Sequence, residues 1–164
     1  MIMMKWLRGS PGGFTFVELV MATAIMMILA SAAIPVARMS IKRQKEAELR
    51  RALREIRSAI DAYHDAVVSN VIGGINVSST SEGYPPDLET LVNGVVRAND
   101  PSGKKIKFLR RVPFDPMTAS TDWGQLAYAD KPDATAWGGA NVFNVYSKSA
   151  DVGLDGTKYK DWAP

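Results

Sequence analysis

From Phe14 to Ala37 the chain reads FTFVELVMATAIMMILASAAIPVA, apolar except for Glu18 and a few small hydroxyl residues. A helix of about 24 residues extends roughly 36 Å, enough to cross a hydrocarbon core about 30 Å thick. The segment therefore reads as a bilayer span. It also makes the whole-chain averages misleading: 46% hydrophobic, 23% charged and a net charge of +3 describe an ordinary soluble domain, yet much of the apolar content sits in one run. With 164 residues there is room for one modest domain and not for a multidomain enzyme. No cysteine means no disulfide, thiolate zinc site or cysteine nucleophile, and a single histidine, His64, excludes a multi-histidine metal site.

Before the run, residues 1–13 are short, carry Lys5 and Arg8, and end in the helix-breaking pair Gly12-Gly13. A secretory signal would be cut after the apolar run, and the small residues from Ala30 to Ala33 would suit such a cut. Two features oppose it: the run is longer than a usual signal core, and Glu18 lies near its start. A carboxylate at mid-membrane costs about 2.5–3.5 kcal/mol even on the lenient insertion scale, so Glu18 calls for a cationic partner or for a place at the interface.

The string Gly-Gly-Phe-Thr-Phe-Val-Glu-Leu-Val over residues 12–20, between a basic leader and an apolar helix, resembles the type IV pilin and type II secretion pseudopilin superfamily. The resemblance implies that an aspartyl prepilin peptidase cuts after Gly13 and that the new first residue, Phe14, is N-methylated. It implies that Glu18, fifth after the cut, pairs with the α-amino group of Phe14 on a neighbouring subunit. That amine, with an ordinary pKa of about 7.7–8.0, is largely cationic near neutral pH. Pro35 stands where many members of the family carry a proline. It supplies no amide to the Ser31 carbonyl, so the helix is expected to kink or loosen there. Arg38, Lys42, Arg43 and Lys45 follow the span, and charge counting alone would put that side in the cytoplasm. The resemblance implies the opposite orientation, and Glu46 and Glu48 dilute the cluster.

Beyond Ala37 the helix is expected to continue as an amphipathic segment to about Val71. Leu49, Leu53, Ile56, Ile60, Tyr63 and Val67 recur in steps of four and three and share one face, which needs a cover. A sheet of the chain's own is the preferred cover, with a coiled coil as the competitor. The opposite face carries Arg38, Lys42, Arg43, Lys45, Arg50, Arg51, Arg54 and Arg57. Without interleaved aromatic residues it reads as a solvated or filament-contacting face, and no nucleic-acid partner is expected.

Residues 73–83 read as a polar loop. PDLETLVNGV reads as a short helix stopped at Asn93-Gly94, and KKIKFLRRVPFDP as an exposed loop or edge strand. Gln125 to Ala129 and Val142 to Tyr146 read as an antiparallel hairpin lying across the apolar helix face, followed by a loop with a tight turn at Asp155-Gly156. The expected fold is α+β and pilin-like. A long N-terminal helix, half transmembrane and half amphipathic, packs on a small antiparallel sheet domain. The divisions are a leader over 1–13, an assembly helix over 14–37, its amphipathic continuation over 38–71 and a periplasmic domain over 72–164.

The resemblance reaches further, through Tyr84-Pro85, Val112-Pro113-Phe114-Asp115-Pro116, Trp123-Gly124, Tyr146-Ser147 and Asp161-Trp162. Those residues look most like the major pseudopilin of the type II secretion system. It implies a calcium site in the carboxyl-terminal loop, for which Asp151, Asp155 and Asp161 are the available carboxylates, although Ser149 replaces a glycine and the family's later acidic cluster is missing. The implied role is structural, not enzymatic: a homopolymer anchored in the bacterial inner membrane and assembled into a periplasmic filament. Its implied partners are the prepilin peptidase, minor pseudopilins, an inner-membrane assembly platform and its ATPase. A type IV or competence pilin is the alternative. A membrane-anchored hydrolase using Asp115, Asp122 and Asp133 near Trp123 and Trp137, or a sensor domain, is the competitor from another class.

Overall fold

The computed structural model describes residues 12–73, 82–98, 100–134 and 136–162. Most of the leader and residues 74–81 of the expected polar loop lie outside the described residues. One helix, α1, runs from Phe16 to Val68, and the chain divides into two compact units at Ile41/Lys42. In the first unit the helix runs on through Pro35, since a proline withdraws only one amide from the ladder. Its large apolar side chains are exposed, among them Phe16, Leu19, Met26, Ile28, Leu29 and Ile34.

The second unit begins at Lys42 and carries the core. Leu49, Leu53, Ile56, Ile60 and Tyr63 are all buried, so the stripe expected from the spacing is the inner face of α1. Ala52 and Ala59 lie within the same face and allow close approach. The helix ends three residues before the expected Val71. Asn70 adopts φ 53°, its amide donates to the Val67 carbonyl at 2.9 Å, and the Val71 amide donates to Ala66 at 2.8 Å. These are the paired bonds of a Schellman stop, with asparagine in the left-handed position.

A second helix, α2, spans Leu88–Asn93. The Asp87 carboxylate accepts from the Thr90 amide at 2.6 Å, and Gly94 ends it at φ 78°. Strands β1 (Val95–Val96) and β2 (Lys105–Ile106) form one antiparallel ribbon, and β3 (Gly124–Leu126) and β4 (Asn144–Tyr146) form another, with Gln125 opposite Val145. The β-structure is thus two separate ribbons. β2 is the short piece of KKIKFLRR that pairs; the rest is loop.

The hairpin forms with the expected antiparallel sense but with shorter strands. Asp130 Oδ2 takes the Ala127 amide at 2.8 Å and so ends β3, while the Val142 amide goes to the Pro85 carbonyl at 2.7 Å. Trp123, Val142 and Val145 from this region join Leu88, Leu91, Tyr159 and Trp162 over the α1 stripe.

Candidate functional site

At the start of α1, Thr15 caps the helix. Its Oγ1 accepts from the Glu18 amide at 3.2 Å, and its carbonyl accepts from the Leu19 amide at 3.1 Å. Thr15-Phe16-Val17-Glu18 therefore has the spacing of a capping box, with the carboxylate in the first turn where the helix dipole favours negative charge. Gly13 and Phe14 precede the helix. Phe14 is 83% exposed, and nothing lies within 4 Å of where a Gly12 or Gly13 Cβ would sit. Sequence reading placed Glu18 at the assembly position and missed this local role, although Thr at three residues before Glu was the signal.

In the second unit, the carboxyl-terminal loop is fastened to α1 by four side chains of the helix. Lys42 Nζ donates to the Val152 carbonyl at 2.7 Å. Glu46 Oε1 accepts from the Leu154 amide at 2.8 Å and from the Tyr159 hydroxyl at 3.0 Å. Arg50 lies 3.5 Å from Asp155 Oδ2, with its guanidinium carbon 4.0 Å from the centre of the Trp162 ring. Arg57 donates through Nε to Asn144 Oδ1 at 2.8 Å, and through Nη2 to the carbonyls of Val145 and Trp162, both at 3.0 Å. Burial pulls the Arg57 pKa below its ordinary value, and Asp61 only opposes the shift. Burial, then the bond to Glu46, pushes the Tyr159 hydroxyl up to about 12.

This corrects the reading of the basic face as solvated or filament-contacting for Arg57, which is half-buried against the chain's own loop; Lys42 and Arg50 also reach that loop, Arg50 while remaining exposed. Arg43, Lys45, Arg51 and Arg54 are exposed as expected. The signal was out of reach because each acceptor lies far along the chain and is mostly backbone.

The carboxyl-terminal loop also carries the three aspartates offered for calcium. Asp155 Oδ1 accepts both the Thr157 amide at 2.9 Å and its hydroxyl at 2.7 Å, and this double bond load keeps the carboxyl below its usual pKa. The Val152 carbonyl is taken by Lys42 and the Asp151 carbonyl by the Tyr159 amide. Asp161 lies in a single 3-10 turn, Tyr159–Asp161. No three acidic or histidine side chains come together among the described residues.

The carboxylates of the hydrolase alternative are also placed. Asp115 is fully buried: Oδ1 accepts from the Met117 amide at 2.8 Å and Oδ2 from the Ser147 hydroxyl at 2.7 Å, tying one loop to the end of β4. Asp122 is exposed and pairs with Lys148 at 2.6 Å, and Asp133 is exposed. The indole of Trp123 donates inward to the Pro113 carbonyl at 2.9 Å, and that of Trp137 to the Asn141 carbonyl at 2.7 Å. Both indole donors are thereby occupied within the fold.

Among the described residues, α1 is the one helix long and apolar enough to cross a membrane, and none of its most apolar stretch is buried. No family model, curated protein or solved structure matches the chain.

Proposed function

We propose that this chain is a filament subunit stored in the inner membrane. In this reading it is cut between Gly13 and Phe14, methylated at Phe14, and assembled through its exposed apolar helix into a periplasmic pseudopilus of a protein-secretion system. The observation that carries the proposal is the conjunction at one helix end: a Gly-Gly-Phe junction in the open, immediately before a capped helix whose first turn holds Glu18 and whose next turns expose apolar side chains. An apolar surface of that extent needs lipid or identical helices around it. Within a bundle of such helices, Glu18 on one subunit and the cationic amine of Phe14 on another would neutralise two charges that are costly apart. The folded unit from Lys42 onward would ride outside the bilayer on the same helix.

Mass spectrometry of the native protein's amino terminus tests the reading. N-methyl-phenylalanine derived from residue 14 is the expected result, whereas an intact Met1 or a cut near Ala33 overturns it. Deleting the gene then separates the secretion role from that of a surface pilin. Loss of exported proteins with surface fibres unchanged is expected, and loss of surface fibres alone assigns the pilin role instead.

A further inference from the structure

The groove between α1 and the carboxyl-terminal loop has a cavity of about 690 Å³, and its charge is opposite to what a cation would require. Arg50, Arg54, Arg57 and Lys158 line it against two carboxylates, Asp155 and Asp161. Asp155 is already engaged with Thr157 and Arg50. Arg57 is half-buried and donates to an amide oxygen and two carbonyls, and among the described residues no carboxylate is bonded to it, Asp61 acting on it without an ion pair. Arg54 and Lys158 are exposed, and neither forms an ion pair among the described residues. A guanidinium withdrawn from water among neutral acceptors gains from a counter-charge. Positions 50, 54 and 57 fall four and three residues apart, so the three guanidinium groups rise from one stripe of the helix. Trp162 supplies an apolar wall on the loop side.

We propose that this groove binds a tetrahedral oxyanion of the phosphate class, held by Arg54 and Lys158 at its mouth with Arg57 as the fixed charge behind. The planar fork of arginine matches two oxygens of such a group, and lysine adds a point charge. The phosphate can be free or carried on a lipid headgroup; the recognition chemistry is the same. The site does not depend on the filament reading, because every residue in it belongs to the folded unit from Lys42 onward.

Titration of the full chain in neutral-detergent micelles with inorganic phosphate, at ionic strength held constant with sodium chloride, provides the test. Tryptophan fluorescence and the unfolding temperature are followed together. A saturable response is expected, weakened roughly tenfold in Arg54→Gln and in Lys158→Gln, the loss of about one charge-assisted contact. Lys45→Gln, on the opposite side of the helix, should bind as the wild type does. A second arm adds phosphatidylglycerol to the micelles; a response there alone, sensitive to the same two substitutions, assigns the phosphate to a lipid headgroup. A response matched by chloride, one indifferent to both substitutions, or none in either arm overturns the proposal.

Discussion

Glu18 illustrates how one residue can carry two roles that a substitution must separate. Its side chain stands in the first helical turn, where the helix dipole favours negative charge, so replacing it touches helix initiation as well as charge. Glutamine serves a capping box as glutamate does but is neutral. Glu18→Gln should therefore insert and accumulate like the wild type while assembling roughly tenfold less filament, the equivalent of one lost charged hydrogen bond. Filament yield against membrane-inserted subunit measures this, and normal assembly of the glutamine variant would refute the pairing with the Phe14 amine. Gly124 poses a purely steric case: a Cβ there would drive into the Tyr146 ring across the β3–β4 pair. Gly124→Ala should lower stability by about 1–3 kcal/mol, as overpacking does, and a second change of Tyr146→Ala should recover part of it in thermal unfolding. Trp123-Gly124 was legible as a motif, but the reason for glycine is visible only with the partner strand in place.

At the scale of elements, α1 is the frame and the carboxyl-terminal loop is its most conditional attachment. Among the described residues the loop has only an isolated bridge, Val152 with Lys158, and one short 3-10 turn, and Lys42, Glu46, Arg50 and Arg57 hold it to the helix. The Tyr159 hydroxyl sits in this attachment with its pKa raised from about 10 to about 12. The folded state thus prefers the protonated phenol more strongly than the unfolded chain does. Its stabilising contribution is complete below about pH 10 and is lost as pH rises through about 12. Unfolding temperature should fall across that window, and Tyr159→Phe should flatten the fall; identical alkaline profiles for both proteins would remove Tyr159 from the attachment. The amphipathic stripe of α1 and the capped α2 were readable from spacing and from Asp87 and Gly94. The basic face was readable as basic, but not as a set of latches.

For the molecule as a whole, the two units ask for different surroundings. The first presents apolar side chains outward, whereas the second buries Leu49, Ile56, Ile60 and Tyr63 under its own ribbons and loop. Each large apolar side chain moved out of water is worth about 1.5–3 kcal/mol, so the exposed set from Phe16 to Ile34 outweighs any plausible attraction of this protein for water. Expressed in full, the chain should remain with the membrane fraction after washing with high salt and alkaline carbonate, and should enter solution only with detergent. Release by salt alone would mean a peripheral attachment and no span.

What sequence alone determined is what rests on local order. The apolar run, the placement of Glu18 and the glycine pair, the four-and-three stripe of the helix and the short capped α2 all follow from spacing along a few turns. Tertiary structure decided which charges are solvated and which are structural. Asp115 turned from a loop carboxylate into a fully buried tie to Ser147, and Arg57 from one member of a basic face into the joint between β4 and Trp162. It also decided how short the β3–β4 ribbon is, because Asp130 and Pro85 take the Ala127 and Val142 amides that would have lengthened its strands. The physical reason is common to all three: a charged or polar side chain is satisfied by whatever acceptor or donor folding brings beside it, and most of those partners are backbone atoms far along the chain, which no local pattern marks.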